Sequence, residues 1–163
     1  MTMRLSITSL LITVFVLATV GLLWAKTQAA SGSRGAEDRP YKVACEAEAR
    51  SAADCKVDWA TYIGWRSYHA FCARCHGSDA LGSSFAPSLV RRVDGMNHGR
   101  FLQVVATGFK GKVGVMPSFG DNPNVMPKAN DIWAYLNARV DGELPPGRPE
   151  RFEGAKERAQ RGD

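Results

Sequence analysis

Cys72-Ala73-Arg74-Cys75-His76 gathers two thiols and an imidazole into one short stretch. On a helix, cysteines three positions apart lie on one face, a turn apart. That spacing suits three chemistries. The thiols can add across the two vinyl groups on one edge of a porphyrin, while the next histidine projects under the iron as its proximal ligand. The same pair can supply half of a zinc site or cycle as a redox Cys-x-x-Cys. The five residues alone leave all three open. Two methionines with a thioether for a distal iron position follow, Met116 and Met126. Each precedes a proline, so the local pattern does not separate them. His69 and His98 are further ligands in principle. His69 falls seven residues before His76 and is expected at a surface or cofactor edge.

Helices must position these groups. Asp58 is a good N-cap for a helix running through Trp59, Ile63 and Tyr68 to Cys75. Gly64 sits inside it and costs ~1 kcal/mol against alanine, a cost a helix bears where another backbone must come close. Gly77 to Leu89 is rich in glycine and serine and reads as a loop. Arg100 to Thr107, with Phe101, Val104 and Val105, predicts a short amphipathic helix stopped by Gly108. Phe109 to Gly114, carrying Lys110 and Lys112, reads as a mobile loop. Asp131 opens a last helix with Trp133, Leu136 and Val140 on its apolar face, ending near Gly142.

Beyond the five-residue pattern, Gly64-x-x-x-Tyr68-x-x-x-Cys72-x-x-Cys75-His76-Gly77 resembles the first helix and haem site of class I cytochromes c. Ala86-Pro87-Ser88-Leu89 resembles the loop whose proline carbonyl accepts the second N–H of the proximal histidine. Val115-Met116-Pro117 resembles the distal methionine loop, and Asp131-Ile132-Trp133-Ala134-Tyr135-Leu136 the closing helix. The resemblance implies an all-α class I fold packed around one covalent haem c. It implies Cys72 and Cys75 as thioether donors, His76 as proximal ligand, Pro87 as its carbonyl partner and Met116, not Met126, as distal ligand. It also brings the helix around Ile132 and Tyr135 against Gly64. Gly64-Trp65-Arg66-Ser67-Tyr68-His69, Gly82-Ser83-Ser84-Phe85-Ala86-Pro87, Val115 to Gly120 and Val140 to Pro145 narrow the likeness further. With the added Cys45/Cys55 pair, they resemble the four-cysteine, methanol-metabolism-related cytochromes of methylotrophic bacteria. Such a relationship implies a quinoprotein methanol or alcohol dehydrogenase as electron donor, and a cytochrome or terminal oxidase as acceptor.

Around this domain, expected at 41–148, the chain predicts three other segments. Arg4 precedes an apolar run from Leu5 to Ala25 and then small residues, the pattern of a secretory signal within 1–30. The run approaches the ~20 residues of a spanning helix, so an uncleaved anchor is the competing reading; only then would the protein touch a membrane. Residues 31–40 read as a linker, and 149–163 as a charged, solvated tail. Export to the periplasm makes a Cys45–Cys55 disulfide the expected use of the extra cysteines. Its competitor joins them to Cys72 and Cys75 as a zinc site, against the spacing. The segment between Cys45 and Cys55 has helical composition.

The formal charge is +5, and falls to +3 without Arg4 and Lys26 of the apolar segment. The cations are scattered, which speaks against nucleic acid as a partner. With His76 and Met116 both on iron, no position stays open for oxygen or peroxide. A neutral thioether and a buried macrocycle both favour the ferrous state. The expected outcome is a one-electron carrier, not an enzyme. A peroxidase or gas sensor would need an open distal site, against Val115-Met116-Pro117.

Overall fold

Asp58 starts the helix on which the site is built. In the computed structural model, which describes residues 39–111 and 114–162, its Oδ1 accepts from the Thr61 N–H at 2.7 Å. Its Oδ2 accepts from the Lys42 N–H, also at 2.7 Å. One carboxylate therefore caps α1 (Trp59–Phe71) and fastens the strand before it, β1 (Val43–Cys45). The predicted signal or anchor, most of the linker and Lys112 lie outside the described residues.

The helix predicted to run through Cys75 is interrupted at Cys72, where a short second helix, α2 (Ala73–His76), begins. The Cys72 N–H still reaches the Tyr68 carbonyl at 2.8 Å, so the axis bends without a break in bonding. A loop leads to α3 (Leu89–Val93), and α4 (His98–Thr107) follows. α4 starts two residues before the predicted Arg100, because the Asn97 side chain accepts the Arg100 N–H at 2.8 Å and caps it. A 3₁₀ turn at Met126–Lys128 then feeds α5 (Ala129–Val140), so Asp131 lies inside the first turn and not at its start.

The core forms where α1 crosses α5. Thr61, Gly64 and Tyr68 turn inward from α1, toward Ile132, Tyr135 and Leu136. A Cβ on Gly64 would stand 1.9 Å from the Asp131 carbonyl oxygen and 3.0 Å from the Tyr135 Cβ. No side chain fits there, which is why the helix carries a glycine despite its propensity cost. Tyr68 and Tyr135 stack beside it with ring centres 5.2 Å apart.

The helical fold carries small sheets that the all-α reading did not contain. β1 pairs antiparallel with β2 (Cys55–Val57), which sets Cys45 opposite Cys55, and the two form a disulfide. The segment between them is not helical. It ends in a 3₁₀ turn at Ala52–Asp54. The disulfide holds its ends with Cα atoms 4.0 Å apart, whereas a helix spanning the gap would separate them by ~15 Å. The loop after α4 is likewise more ordered than expected: β3 (Phe109–Lys110) pairs with β4 (Val115–Met116).

The C-terminal segment keeps its charged side chains exposed, as expected, but it is more ordered than a solvated tail: β5 (Glu150–Arg151) joins β2 in parallel, the Phe152 N–H reaches the Val57 carbonyl at 3.0 Å, and α6 (Ala155–Arg161) follows. The reason lies on the outer face of α1. Trp59, Tyr62 and Trp65 line up there, and the tail lays cations over them. The Arg151 guanidinium sits 5.0 Å from the Tyr62 ring centre and 5.5 Å from that of Trp59. Arg148 covers Trp65 at 5.7 Å and Lys156 reaches Trp59 at 6.0 Å. Charge composition hid an attraction that needs the rings opposite it. Among the described residues, no helix is long and apolar enough to cross a membrane.

Candidate functional site

His76 closes α2 and is only 8% exposed. Its Nδ1–H donates to the Pro87 carbonyl at 2.9 Å. A proline carbonyl is free to accept, and the bond fixes the tautomer: Nε2 keeps its lone pair for a metal, with raised basicity. Three contacts hold Pro87 in place. The Gly82 N–H bonds to the His76 carbonyl at 2.8 Å, the Leu89 N–H to the Ala80 carbonyl at 2.8 Å, and Ser88 Oγ–H to the same Ala80 carbonyl at 3.2 Å. Gly82 has φ +92°, and a Cβ there would meet the Ser88 nitrogen at 2.6 Å, so the loop closes only with glycine.

Cys72 is half-buried and Cys75 exposed, both free of disulfide. Burial first, and Cys75 second, push the Cys72 thiol up to about 12. A redox Cys-x-x-Cys works through a depressed thiol pKa, and Cys72 is shifted the other way. The zinc alternative fails separately. Cys45 and Cys55 are consumed by each other, and no group of three metal-binding His, Cys, Asp or Glu side chains occurs among the described residues. What remains is a pair of thiols one turn apart with an oriented imidazole after them. That donor set fits haem.

Met116 is half-buried in β4. Its hairpin lies against the Pro87 loop, since a Cβ on Gly114 would sit 3.8 Å from the Phe85 carbonyl. Met126 stands elsewhere, in the 3₁₀ turn ahead of α5, with its N–H on the Asn122 carbonyl. His69 is also accounted for. Its Nδ1–H donates to the Trp65 carbonyl at 2.8 Å and its ring lies 4.7 Å from that of Trp65. His98 is exposed, with Nε2 3.0 Å from Asn130 Oδ1.

Three supports escaped the sequence reading. Tyr68 Oη–H donates to the Gly77 carbonyl at 2.5 Å, and Ser83 Oγ–H to the Cys75 carbonyl, so both ends of the attachment turn are tied. Arg139, 8% exposed, donates to the carbonyls of Asp79 and Leu144. Its signal was present: a cation four residues after Tyr135, on the buried face of an apolar helix, needs internal acceptors.

Fold and site together define a haem-binding helical domain with thioether attachment, and the comparisons agree. The family model for cytochrome c oxidase, cbb3-type, subunit III matches residues 60–136. Cytochrome c-553I of Paracoccus denitrificans is 46% identical over 124 residues, 72% of this chain and 51% of that protein. The chain thus spans about half the length of that relative. Cytochrome c-555 of Methylococcus capsulatus is 34% identical over 106 residues, covering 64% of this chain and 83% of the relative. The crystal structure of the c-type cytochrome XoxG from Methylobacterium extorquens AM1 superposes with a TM-score of 0.57 at 44% identity. That match covers 65% of this chain and 69% of XoxG. The chain belongs to the c-type cytochromes, with the class I fold and covalently bound haem c.

Proposed function

We propose that Cys72 and Cys75 hold the haem through thioethers, with His76 as proximal and Met116 as distal ligand. We propose further that the protein carries single electrons in the periplasm from a quinoprotein methanol or alcohol dehydrogenase to a cytochrome or terminal oxidase. The observation carrying the site is the 2.9 Å bond from His76 Nδ1 to Pro87, which leaves Nε2 free for a metal. Met116 is favoured over Met126 because its hairpin abuts the loop that orients His76. The Cys45–Cys55 disulfide suits an oxidising compartment.

When bound, haem c supplies a one-electron Fe(III)/Fe(II) couple. The chain's residues set its conditions. Pro87 holds the imidazole in one tautomer. Met116 offers a soft, neutral sulfur that favours ferrous iron. Cys75 is exposed, as are the apolar side chains of Phe85 (73% exposed), Val115 (72%), Phe109 and Leu81. The dehydrogenase assignment draws on the resemblance of residues 41–149 to the methanol-metabolism branch and on the identity with XoxG.

The test mixes purified ferric protein with a quinoprotein methanol dehydrogenase, methanol and cofactor, and follows haem reduction in the visible spectrum. Reduction that depends on both enzyme and methanol is expected. If reduction proceeds no faster than without enzyme, the donor assignment is wrong. Met116→Ala should abolish the methionine–iron charge-transfer band and open the iron to carbon monoxide, while Met126→Ala leaves both unchanged. The reverse pattern would transfer the ligand role to Met126.

A further inference from the structure

On the loop that follows His76 rests a buried charge that neither haem attachment nor ligation uses. Arg139 projects from the last turn of α5 into the loop following the proximal histidine. Its Nη2–H donates to the Asp79 carbonyl at 3.2 Å, Nε–H to the same oxygen at 3.4 Å, and Nη1–H to the Leu144 carbonyl. The loop is tight. The Ala80 N–H bonds to the Gly77 carbonyl, so Asp79 is folded back next to Gly77, the residue after His76. On the same side Tyr68 holds the Gly77 carbonyl, and Tyr135, stacked on Tyr68, lies along the Arg139 helix.

The bonds of Arg139 to Asp79 and Leu144 go to neutral carbonyl oxygens. Carbonyls satisfy its N–H groups without cancelling its charge. The loop also carries the Asp79 carboxylate, whose Oδ1 accepts the Gly147 N–H at 2.9 Å. A guanidinium does not shed its proton in a protein, and at 8% exposure it is poorly screened by solvent. A permanent positive charge is thus fixed on the proximal side of the site.

We infer that Arg139 is a positioning residue that sets the reduction potential: its buried charge, held against the His76 loop by the carbonyls of Asp79 and Leu144, favours the ferrous over the ferric state. The inference rests on His76 as the proximal ligand. Ferric haem carries one more positive charge than ferrous haem. A nearby fixed cation therefore raises the energy of the ferric form more, and the potential rises. Asp79, an anion on the same loop, opposes it.

The test is a set of potentials measured on holoprotein by spectroscopic titration against mediators. Arg139→Gln should lower the reduced-to-oxidised ratio at a fixed ambient potential by about tenfold, which for one electron is about 59 mV. Arg139→Lys keeps the charge and should stay within about twofold of the parent. Asp79→Asn keeps an acceptor for Gly147, removes the opposing charge, and should shift the ratio upward. An unchanged potential in Arg139→Gln, or equal falls in the Gln and Lys variants, would overturn the inference, because packing and not charge would then be at work. If Arg139→Gln yields no holoprotein, the Asp79→Asn shift decides: upward supports the inference, and none or downward overturns it. The methionine–iron band is recorded throughout. Its absence from the parent marks failure of the ligand assignment; its presence with unmoved potentials marks failure of the Arg139 inference alone.

Discussion

The two faces of α1 hold their neighbours by different physics. The inner face meets α5 through shape: Gly64 admits the Asp131 carbonyl, and Tyr68 stacks on Tyr135. The outer face meets the C-terminal segment through charge on rings, with Arg151, Lys156 and Arg148 over Trp59, Tyr62 and Trp65. Shape fails abruptly, since one methyl group has nowhere to go. Cation–π contacts fail gradually, because a long side chain can shift and water can replace it. The inner face carries the attachment turn at its C-terminal end, so it is the face where failure costs function.

The largest expected effect breaks the inner face. Gly64→Ala gains about 1 kcal/mol of helix propensity, but its Cβ meets backbone and not a movable side-chain tip. Forcing the helices apart should cost about 3 kcal/mol or more. A chemical denaturation midpoint and the yield of holoprotein measure it. A variant as stable as the parent would show that the crossing is looser than its geometry.

Replacing both Cys45 and Cys55 by alanine comes next. Releasing this loop should cost about 2–3 kcal/mol in the chain-entropy estimate. The loss should appear in the denaturation midpoint, with the visible spectrum unchanged, since the disulfide lies in the added sheet and not in the haem loops. A spectral change would show that the two regions are coupled.

A smaller effect probes the outer face directly. Arg151→Ala removes contacts to two rings and should cost about 1–2 kcal/mol. Arg151→Lys should recover part of this. Limited proteolysis should clip the C-terminal segment faster in the alanine variant while the haem spectrum holds. Equal proteolysis rates would mean that strand pairing, not the cation, fastens the segment.

The same contrast explains what the sequence revealed. Gly64 was legible because a close helix crossing is a backbone requirement that almost no other residue meets. Cys72, Cys75, His76 and Pro87 were singled out through the resemblance, since their spacing alone admits zinc and redox readings; of these, the His76–Pro87 bond is seen. Met116 was singled out only through its neighbours, since Met126-Pro127 matches it locally. The charges of the C-terminal segment are exposed as expected, but its order was not legible, because the rings that Arg151 and Lys156 cover lie on a distant helix. The Cys45–Cys55 pairing was anticipated, but not the sheet around it: strands of two or three residues carry too little alternation to be read. Arg139 was passed over because a single arginine in an amphipathic helix ordinarily points to water.

The smallest effect is set by pH and lies at the crossing itself. Asp131 occupies the first turn of α5, where a negative charge gains about 0.3–1 kcal/mol from the helix dipole. Burial, and then the neighbouring Asp58 carboxylate, nevertheless raise its pKa to about 6, with Lys128 pulling the other way. A raised carboxyl pKa means that the folded protein binds this proton more tightly than the unfolded chain does. Its contribution to stability is therefore fully present below the unfolded value near 3.8, and is lost as pH rises through about 6. Asp131 is only half-buried, so solvent screening reduces the effect to about 1 kcal/mol. Asp131→Asn should remove it. Denaturation of both proteins at pH 4.0 and 7.5 should show the parent gaining about 1 kcal/mol relative to the variant at the lower pH. Parallel stabilities would mean that Asp131 titrates alike in folded and unfolded chains. A relative loss in the parent at pH 4.0 would mean that the helix dipole outweighs burial at this site.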